Sequence, residues 1–240
     1  MAPDADDIAC WLLDEVATPW ANTGSGGVAD MTLGAGAIDT AQAGVVAPNC
    51  IIFPSMNVAL ANSYLEGGAA LVADIQNLTI SCWHKMTSYP TGGGQALRIL
   101  TKPVPGGGVP FIYLMSLLID QNPAGKILAV EVNPSGSSYT YIPTDAYVAP
   151  GVWHHFGVTW DSATGIPLIY MDGALVGSSG GVVLTGDLVD GANDWNIGGS
   201  SEDAANYDRG LVQDVRIANV TRPLSYFQDI YRKAFGLAGA

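Results

Sequence analysis

Residues 151–177, GVWHHFGVTWDSATGIPLIYMDGALVG, are the stretch that decides the fold. Within 152–160 the side chains alternate in character, which is the period-2 pattern of a β-strand packed on at least one side. One face of this strand carries Val152, His154, Phe156, Val158 and Trp160. A second strand is predicted at 168–171, followed by Asp172-Gly173, a dipeptide that favours a two-residue hairpin with positive φ at both positions. The stretch therefore predicts three antiparallel strands in succession.

Composition favours a β-sandwich over a helical protein. The 240 residues include 30 glycines and 14 prolines, and only 13% are charged. This is typical of many short strands joined by turns. Further strands are predicted at 8–13, 49–53, 58–64, 77–86, 95–101, 111–119, 126–132, 139–142, 182–184, 195–197 and 211–218. We therefore predict an all-β fold, an antiparallel β-sandwich formed by a single domain over residues 1–240.

Two segments depart from this pattern. Residues 18–44 are rich in Gly, Ala, Thr and Asp and predict loops with at most one brief strand. Residues 223–234, PLSYFQDIYRKA, have apolar side chains at i, i+3 and i+7 spacing and predict a short C-terminal helix. Pro223 suits a first helical turn, and Gly236 is placed to end the helix.

Charge and cysteine usage narrow the range of partners. The chain has 22 acidic and 9 basic residues, a formal net charge of −13, so its surface repels the phosphates of nucleic acid. No apolar run is long enough for membrane insertion, and the N-terminus lacks the pattern of a signal peptide. Cys10, Cys50 and Cys82 lie in apolar contexts that predict buried, reduced thiols. We therefore expect synthesis in a cytoplasm.

Several strings of residues occur in the order found in one known family. They are WLLDE at 11–15, LTISCWHKM at 78–86, VWHHFGVTWD at 152–161, LIYMDGALVG at 168–177, WNIGG at 195–199 and RGLVQDVRIANVTRPLSYFQDIYR at 209–232. The chain thus resembles the concanavalin A-like lectin/glucanase superfamily, and within it the laminin-G-like jelly-roll domains. The resemblance implies a jelly roll with a short C-terminal helix. It does not choose a function, because this fold carries enzymes, lectins and structural modules.

The sequence gives no support to an enzyme. The resemblance implies that a glycosidase of this fold carries its carboxylates in an E-x-D-x-x-E pattern on one strand, since retaining hydrolysis needs an acid/base and a nucleophile. None of the four glutamates lies in that pattern; they are Glu15, Glu66, Glu131 and Glu202. His154 and His155 are neighbours on one strand, so they point to opposite faces and cannot readily share a metal. We expect no catalytic residue.

Two acidic loops on either side of 195–199 are the predicted binding region. The resemblance implies two alternatives, a solvated acidic rim or a calcium site like that of some relatives, built from six to eight oxygen ligands. The candidate metal ligands are Asp187, Asp190, Asp194, Asp203 and Asp208. A sugar needs an aromatic ring beside polar groups, and the candidate ligand-binding residues are Trp195, Asn206 and Tyr207. No cofactor is required, and Ca²⁺ is the one cofactor that the loops suggest.

Three functions remain open from the sequence. The missing catalytic pattern, the reduced cysteines and the absence of a signal peptide favour a non-enzymatic structural or adhesion module of a larger assembly. A virion (phage) capsid decoration or tail surface protein fits this description, with other subunits of the particle as partners. The alternative is a carbohydrate-binding, lectin-type module that takes glycans with or without calcium. A glycosidase is the third and least favoured function.

Overall fold

The computed structural model describes residues 4–13, 21–25, 30, 32–35, 39–46, 49–52, 64–67, 75–88, 96–103, 113–122, 125–133, 140–188, 194–199 and 210–237. Strands in the first half of the chain are β1 (Asp7–Trp11), β2 (Thr32–Ala35), β3 (Asp39–Ala43), β4 (Asn49–Ile52), β5 (Tyr64–Gly67), β6 (Asn77–Met86), β7 (Ala96–Pro103) and β8 (Tyr113–Asn122). The second half contains β9 (Gly125–Val132), β10 (Thr140–Tyr147), β11 (His154–Asp161), β12 (Leu168–Met171), β13 (Ala174–Ser178), β14 (Trp195–Ile197), β15 (Gly210–Ala218) and helix α1 (Leu224–Ala234).

These strands form two antiparallel sheets, which confirms the predicted β-sandwich. An eight-stranded sheet has the order β13-β12-β11-β6-β15-β4-β3, with β1 paired to β15. A seven-stranded sheet has the order β10-β9-β8-β7-β14-β5-β2. The core-facing side chains of both sheets form one hydrophobic cluster that contains three fully buried tryptophans, Trp11, Trp160 and Trp195. Each sheet therefore has a core face and an outer face, the face turned away from the core.

The β11–β12–β13 meander forms as the sequence predicts. Strand β12 has the predicted bounds, and the hairpin to β13 places Asp172 at φ 53° and Gly173 at φ 77°. The turn thus uses the left-handed conformation that this dipeptide tolerates. On its other side, β11 pairs with β6 from His154 opposite His84 to Asp161 opposite Asn77.

Strand β11 is buried on both faces, beyond the one face that its pattern requires. Phe156, Val158 and Trp160 point into the core, while His155 and Gly157 lie beneath helix α1 on the outer face. The helix thus covers the outer face of the eight-stranded sheet. This arrangement explains why the strand has no polar, solvated side.

Phe227 is the main contact between α1 and the sheet. Its ring stacks on that of Tyr170 with the centroids 4.1 Å apart, and it occupies the space above Gly157. Ile230 is buried beside it. Further along the helix, Tyr231 stacks on Trp83 at 5.9 Å. An aromatic layer therefore joins the helix to the outer face of this sheet.

The ends of α1 follow the sequence closely. Pro223 occupies the N-cap position with φ −74°, one residue before the helix begins. At the other end, the amide of Leu237 donates to the carbonyl of Arg232 at 2.8 Å, and Gly236 adopts φ +67°. This is the Schellman arrangement, in which glycine in the left-handed conformation stops a helix. The prediction that Gly236 ends the helix is confirmed.

Four strand predictions need correction or fall outside the structure. Residues 182–184 form no strand, because Gly180 and Gly181 have positive φ, Val182 donates within the turn to the carbonyl of Ser179, and Leu184 donates to the carbonyl of Gly165. The loop predicted at 18–44 contains two strands, β2 and β3. Strand β10 is twice the predicted length. The strand predicted at 58–64 lies outside the described residues except for Tyr64, where β5 begins.

Cysteines and membrane spans agree with the sequence where they are described. Cys10 and Cys82 are buried free thiols. Among the described residues, no helix has the length and apolar character needed to cross a bilayer.

Gly157→Ala should destabilise the protein. A Cβ at this position would lie 2.2 Å from Cε1 of Phe227, so the helix or the strand must shift. Overpacking of this kind costs about 1–3 kcal/mol. Urea unfolding followed by tryptophan fluorescence measures the loss in free energy of unfolding.

The double variant Gly157→Ala/Phe227→Leu provides the matched comparison. The smaller leucine side chain makes room for the new methyl group, so the double variant should lose less than the sum of the two single variants. Strictly additive losses would show that residues 157 and 227 are not in contact.

Candidate functional site

The outer face of the seven-stranded sheet carries a polar row that crosses all seven strands. Directly paired residues of antiparallel strands share a face. From edge to edge the pairing aligns Thr32, Glu66, Asn196, Thr101, Ser116, Glu131 and Tyr141. The adjacent register row aligns Leu33, Leu65, Ile197, Leu100, Leu117, Val130 and Ile142, and its described side chains belong to the hydrophobic core. The two neighbouring rows thus differ in polarity.

An ion pair lies on this outer face. Arg98 on β7 reaches over β8 to Glu131 on β9, with Nη1 bonded to Oε2 and Nη2 3.4 Å from Oε1. Both side chains are 8% exposed. Nearby, the hydroxyl of Thr101 donates to the carbonyl of Gly199 at 2.9 Å. The centre of the polar row is therefore fixed by hydrogen bonds, and the guanidinium charge is neutralised by its carboxylate.

Edge strand β10 presents two exposed tyrosines on the same outer face. Along the strand, residues 142, 144, 146 and 148 face the core, while Tyr141, Pro143, Asp145 and Tyr147 are exposed. Tyr141 is 37% exposed and Tyr147 is 56% exposed. Because Tyr141 is paired with Glu131, the tyrosines continue the polar row to the edge of the sheet. The exposed tyrosine rings and the exposed carboxylate of Asp145 define this surface, which we call the β10 face, whereas the residues at the centre of the polar row are buried.

The two glutamates of the polar row are too far apart for glycoside hydrolysis. Glu66 on β5 and Glu131 on β9 are separated by β14, β7 and β8. Four strand spacings correspond to about 19 Å. Paired catalytic carboxylates lie roughly 5–10 Å apart. The two glutamates therefore cannot act as an acid/base and nucleophile pair.

The structure corrects the assignment of Trp195 as a ligand-binding platform. Its ring is fully buried in β14 and belongs to the hydrophobic core. The ammonium group of Lys102, which is itself buried, lies 5.5 Å from the centre of that ring. Trp195 therefore presents no ring face to a ligand. The other two candidate ligand-binding residues, Asn206 and Tyr207, lie outside the described residues.

The predicted calcium ligands are described only in part. Asp187 and Asp194 are half-buried. The remaining three, Asp190, Asp203 and Asp208, lie outside the described residues. In the described part of the chain, no three His, Cys, Asp or Glu side chains are grouped in a way that would hold a metal ion. Calcium binding by these loops stays a prediction.

The two adjacent histidines point to opposite faces, as the strand pattern predicts. Nδ1 of His154 lies 2.7 Å from Oδ2 of Asp172, and the other carboxylate oxygen accepts the amide of His155 at 2.9 Å. The His155 ring packs on Trp83 at 5.1 Å and is buried by the helix. Burial lowers the pKa of His155 to about 3. The histidines therefore hold the hairpin and the helix in place.

A cleft of about 600 Å³ lies on the opposite side of the sandwich, between α1 and residues 4–6. Arg216 forms its floor, with Nε 2.9 Å from Oδ1 of Asp214 and Nη1 3.5 Å from Oδ2 of Asp7. Nη2 of Arg222 lies 3.5 Å from the other oxygen of Asp7. These charges are paired with one another, although Nε of Arg222 is buried without a hydrogen-bond partner. The cleft therefore lies where ion pairs attach the N-terminal segment and helix α1 to the sheet.

Comparison with known families shows which family the chain belongs to. The Laminin_G_3 family model, of the concanavalin A-like lectin/glucanases superfamily, matches residues 60–225, more than half of the sequence. The chain therefore belongs to this family, and the resemblance seen in the sequence is confirmed. A comparison with curated protein sequences found no match.

Solved structures with the same fold include domains of enzymes and binding domains. Trypanosoma rangeli sialidase with 2,3-difluorosialic acid is 14% identical with a TM-score of 0.65, covering 100% of this chain and 34% of the sialidase. Domain 4 of the extracellular arabinanase AbnA from Geobacillus stearothermophilus, in complex with arabinotriose, is 17% identical with a TM-score of 0.64, covering 95% of this chain and 100% of that domain. The binding domain of botulinum neurotoxin DC, in complex with SialylT, is 13% identical with a TM-score of 0.66, covering 95% and 51%.

These similarities show the fold alone, because the identities are low. The chain spans about a third of the length of the sialidase that it matches. The fold is found in enzymes and in binding domains, so it does not choose between the two.

The stability of the protein should fall in acid partly because of His155. Since its pKa is lowered to about 3 in the folded state, the unfolded chain takes up a proton below about 6.5 that the folded chain refuses. Above pH 6.5 the neutral His155 ring makes its full contribution to the free energy of unfolding. As the pH falls below that value, the free energy of unfolding decreases by about 1.4 kcal/mol per pH unit. Urea unfolding at pH 7.5 and pH 5.0 measures this loss.

His155→Phe should reduce the loss between those two pH values by about 2 kcal/mol, because phenylalanine does not titrate. Ser225→Ala, an exposed change on α1, is the control and should keep the wild-type dependence. Equal pH dependence in wild type and His155→Phe would contradict the burial of a neutral imidazole.

Proposed function

We propose that the chain is a non-catalytic carbohydrate-binding module whose binding surface is the β10 face. The observation that carries this proposal is the exposure of Tyr141 and Tyr147 on one side of an edge strand, beside the polar row. Sugar rings combine apolar C–H faces with hydroxyl groups. They are bound by aromatic faces together with a few placed donors and acceptors.

The rigid part of the surface supports the same function. The Arg98–Glu131 pair and the Thr101 hydroxyl are buried and held by bonds within the sheet, so the strands that support β10 are ordered before any ligand arrives. A preorganised surface loses less conformational entropy on binding. The edge strand then adds the tyrosines that make the ligand contact.

The comparisons agree with this proposal at the level of the fold. Two of the similar structures contain sugars, arabinotriose in the arabinanase domain and 2,3-difluorosialic acid in the sialidase. The arabinanase domain is covered over its whole length by this chain. An accessory, sugar-binding role therefore requires no structural element beyond the described fold.

A structural or adhesion role on a larger assembly, such as a phage capsid or tail, stays a prediction from the sequence. It is compatible with glycan binding, because adhesion to a glycan-coated surface uses such a module. Particle purification tests it separately: copies of the chain arranged with the symmetry of a particle would support it, and a lone monomer in the native source would contradict it.

Tyr141→Ala and Tyr147→Ala should each weaken glycan binding about tenfold, because each removes one stacking surface worth about 1.4 kcal/mol. A glycan array, read with calcium and with chelator, identifies the ligand, and calorimetry measures the affinities. Leu175→Ala, at a site 52% exposed on β13 of the other sheet, is the control and should bind normally.

Silence of the wild-type protein on neutral, acidic and sialylated glycans, in both conditions, would contradict carbohydrate binding. If the protein binds in calcium and loses binding when chelator is present, the result would support the predicted calcium site in the acidic loops that begin at Asp187. Release of reducing sugar from a bound polysaccharide would contradict the non-catalytic assignment.

A further inference from the structure

We propose that the β10 face takes a neutral oligosaccharide of at least three units, laid along strand β10, and rejects anionic terminal sugars. This inference rests on the proposed function and specifies its ligand class. Three features of the strand carry it: the spacing of the two tyrosines, the carboxylate between them, and the state of the nearest guanidinium.

The spacing of the tyrosines sets the length of the ligand. Tyr141 is paired with Glu131 and Tyr147 with Ile127, four residues apart on β9. At about 3.3 Å per residue, the two tyrosine positions are roughly 13 Å apart along the sheet. One sugar ring covers one tyrosine only. Two sugar units that stack on both rings together must be separated by at least one further unit.

An irregularity in β10 shortens the path between the two tyrosines and leaves them on one face. The seven residues of β10 from Tyr141 to Tyr147 oppose the five residues of β9 from Glu131 to Ile127, with the shift between Pro143 and Tyr147. Because the shift adds an even number of residues, the alternation of faces is preserved. Bulges at sheet edges commonly re-aim side chains near binding sites. The irregularity therefore shortens the distance between the rings and keeps them on one surface.

Asp145 sets the charge preference of the ligand. It is exposed on the same face, between the two tyrosines. Its carboxylate accepts hydrogen bonds from sugar hydroxyls and repels sugars that carry a carboxylate or sulfate. The formal charge of the whole chain, −13, adds to this repulsion. Pro143, also exposed, offers a flat apolar step between Asp145 and Tyr141.

The nearest described guanidinium does not offset the negative charge. Arg98 is 8% exposed and bonded to Glu131, so its charge is already matched by a carboxylate. Recognition of an anionic sugar uses charge-assisted bonds from arginine or lysine. The β10 face therefore differs in ligand class from a structural neighbour such as the sialidase with its bound 2,3-difluorosialic acid.

Calorimetry with neutral cello-, xylo- and arabino-oligosaccharides of one to six units tests the length. Affinity should be weak for one and two units, rise at least tenfold at three or four, and then level off. Sialyllactose and oligogalacturonides of matched length should bind at least tenfold more weakly than the best neutral chain, and this gap should shrink when NaCl is raised from 50 to 300 mM.

Asp145→Lys should reverse the charge preference, improving the binding of oligogalacturonides at least tenfold. Asp145→Asn should keep the binding of neutral chains within about threefold, because an amide oxygen still accepts hydrogen bonds. Asp229→Asn, an exposed change on α1, is the control and should leave every affinity unchanged.

The outcomes separate this inference from the proposed function. Tight, tyrosine-dependent binding of sialyllactose or oligogalacturonides by the wild-type protein would overturn the neutral class and leave carbohydrate binding intact. An affinity that does not rise beyond a monosaccharide would overturn the extended mode in the same way. Failure to bind any sugar would overturn the proposed function together with the inference.

Discussion

The contact between the Phe227 ring and Gly157 is the interaction on which the rest of the structure depends. The phenylalanine ring fills the place that a side chain at 157 would need and stacks on Tyr170. Helix α1 therefore lies flat on the outer face of the eight-stranded sheet and buries the residues there, among them Trp83 and His155. In the part of the chain that the structure describes, the outer face of the seven-stranded sheet has no helix over it. The site that we propose therefore lies on the second sheet, at its exposed edge strand β10, because residues at the centre of that face such as Thr101 and Asn196 are themselves buried.

The ion pair on that second face adds little to the stability of the protein. A buried ion pair such as Arg98–Glu131 contributes little net stability, because desolvation offsets most of the attraction between the charges. An apolar pair of similar size would hold the sheet at least as well. The described side chains of the adjacent row, such as Leu65, Ile197 and Val130, are apolar and belong to the hydrophobic core.

How far the sequence predicts this molecule depends on whether the signal is local. The Asp172-Gly173 hairpin and the Gly236 helix stop follow from backbone preferences of single residues, and both are confirmed. The continuation of β10 through Pro143 was missed, because proline is tolerated only where the strand lies at an edge, and edge position is a tertiary property. With that break removed, the alternation YTYIPTDAY at 139–147 would have indicated the tyrosine surface. The burial of Trp195 was missed for the same kind of reason: neighbouring loops suggested exposure, while packing between the sheets encloses the ring.

Hydrogen–deuterium exchange with and without a bound neutral hexasaccharide tests the central claim. The claim is that the seven-stranded sheet binds the ligand, while the eight-stranded sheet and α1 form the scaffold. The account predicts slower amide exchange in β9 and β10 on binding, with α1 and β11 unchanged. Protection confined to residues 187–208 or to α1, with none in β10, would contradict it.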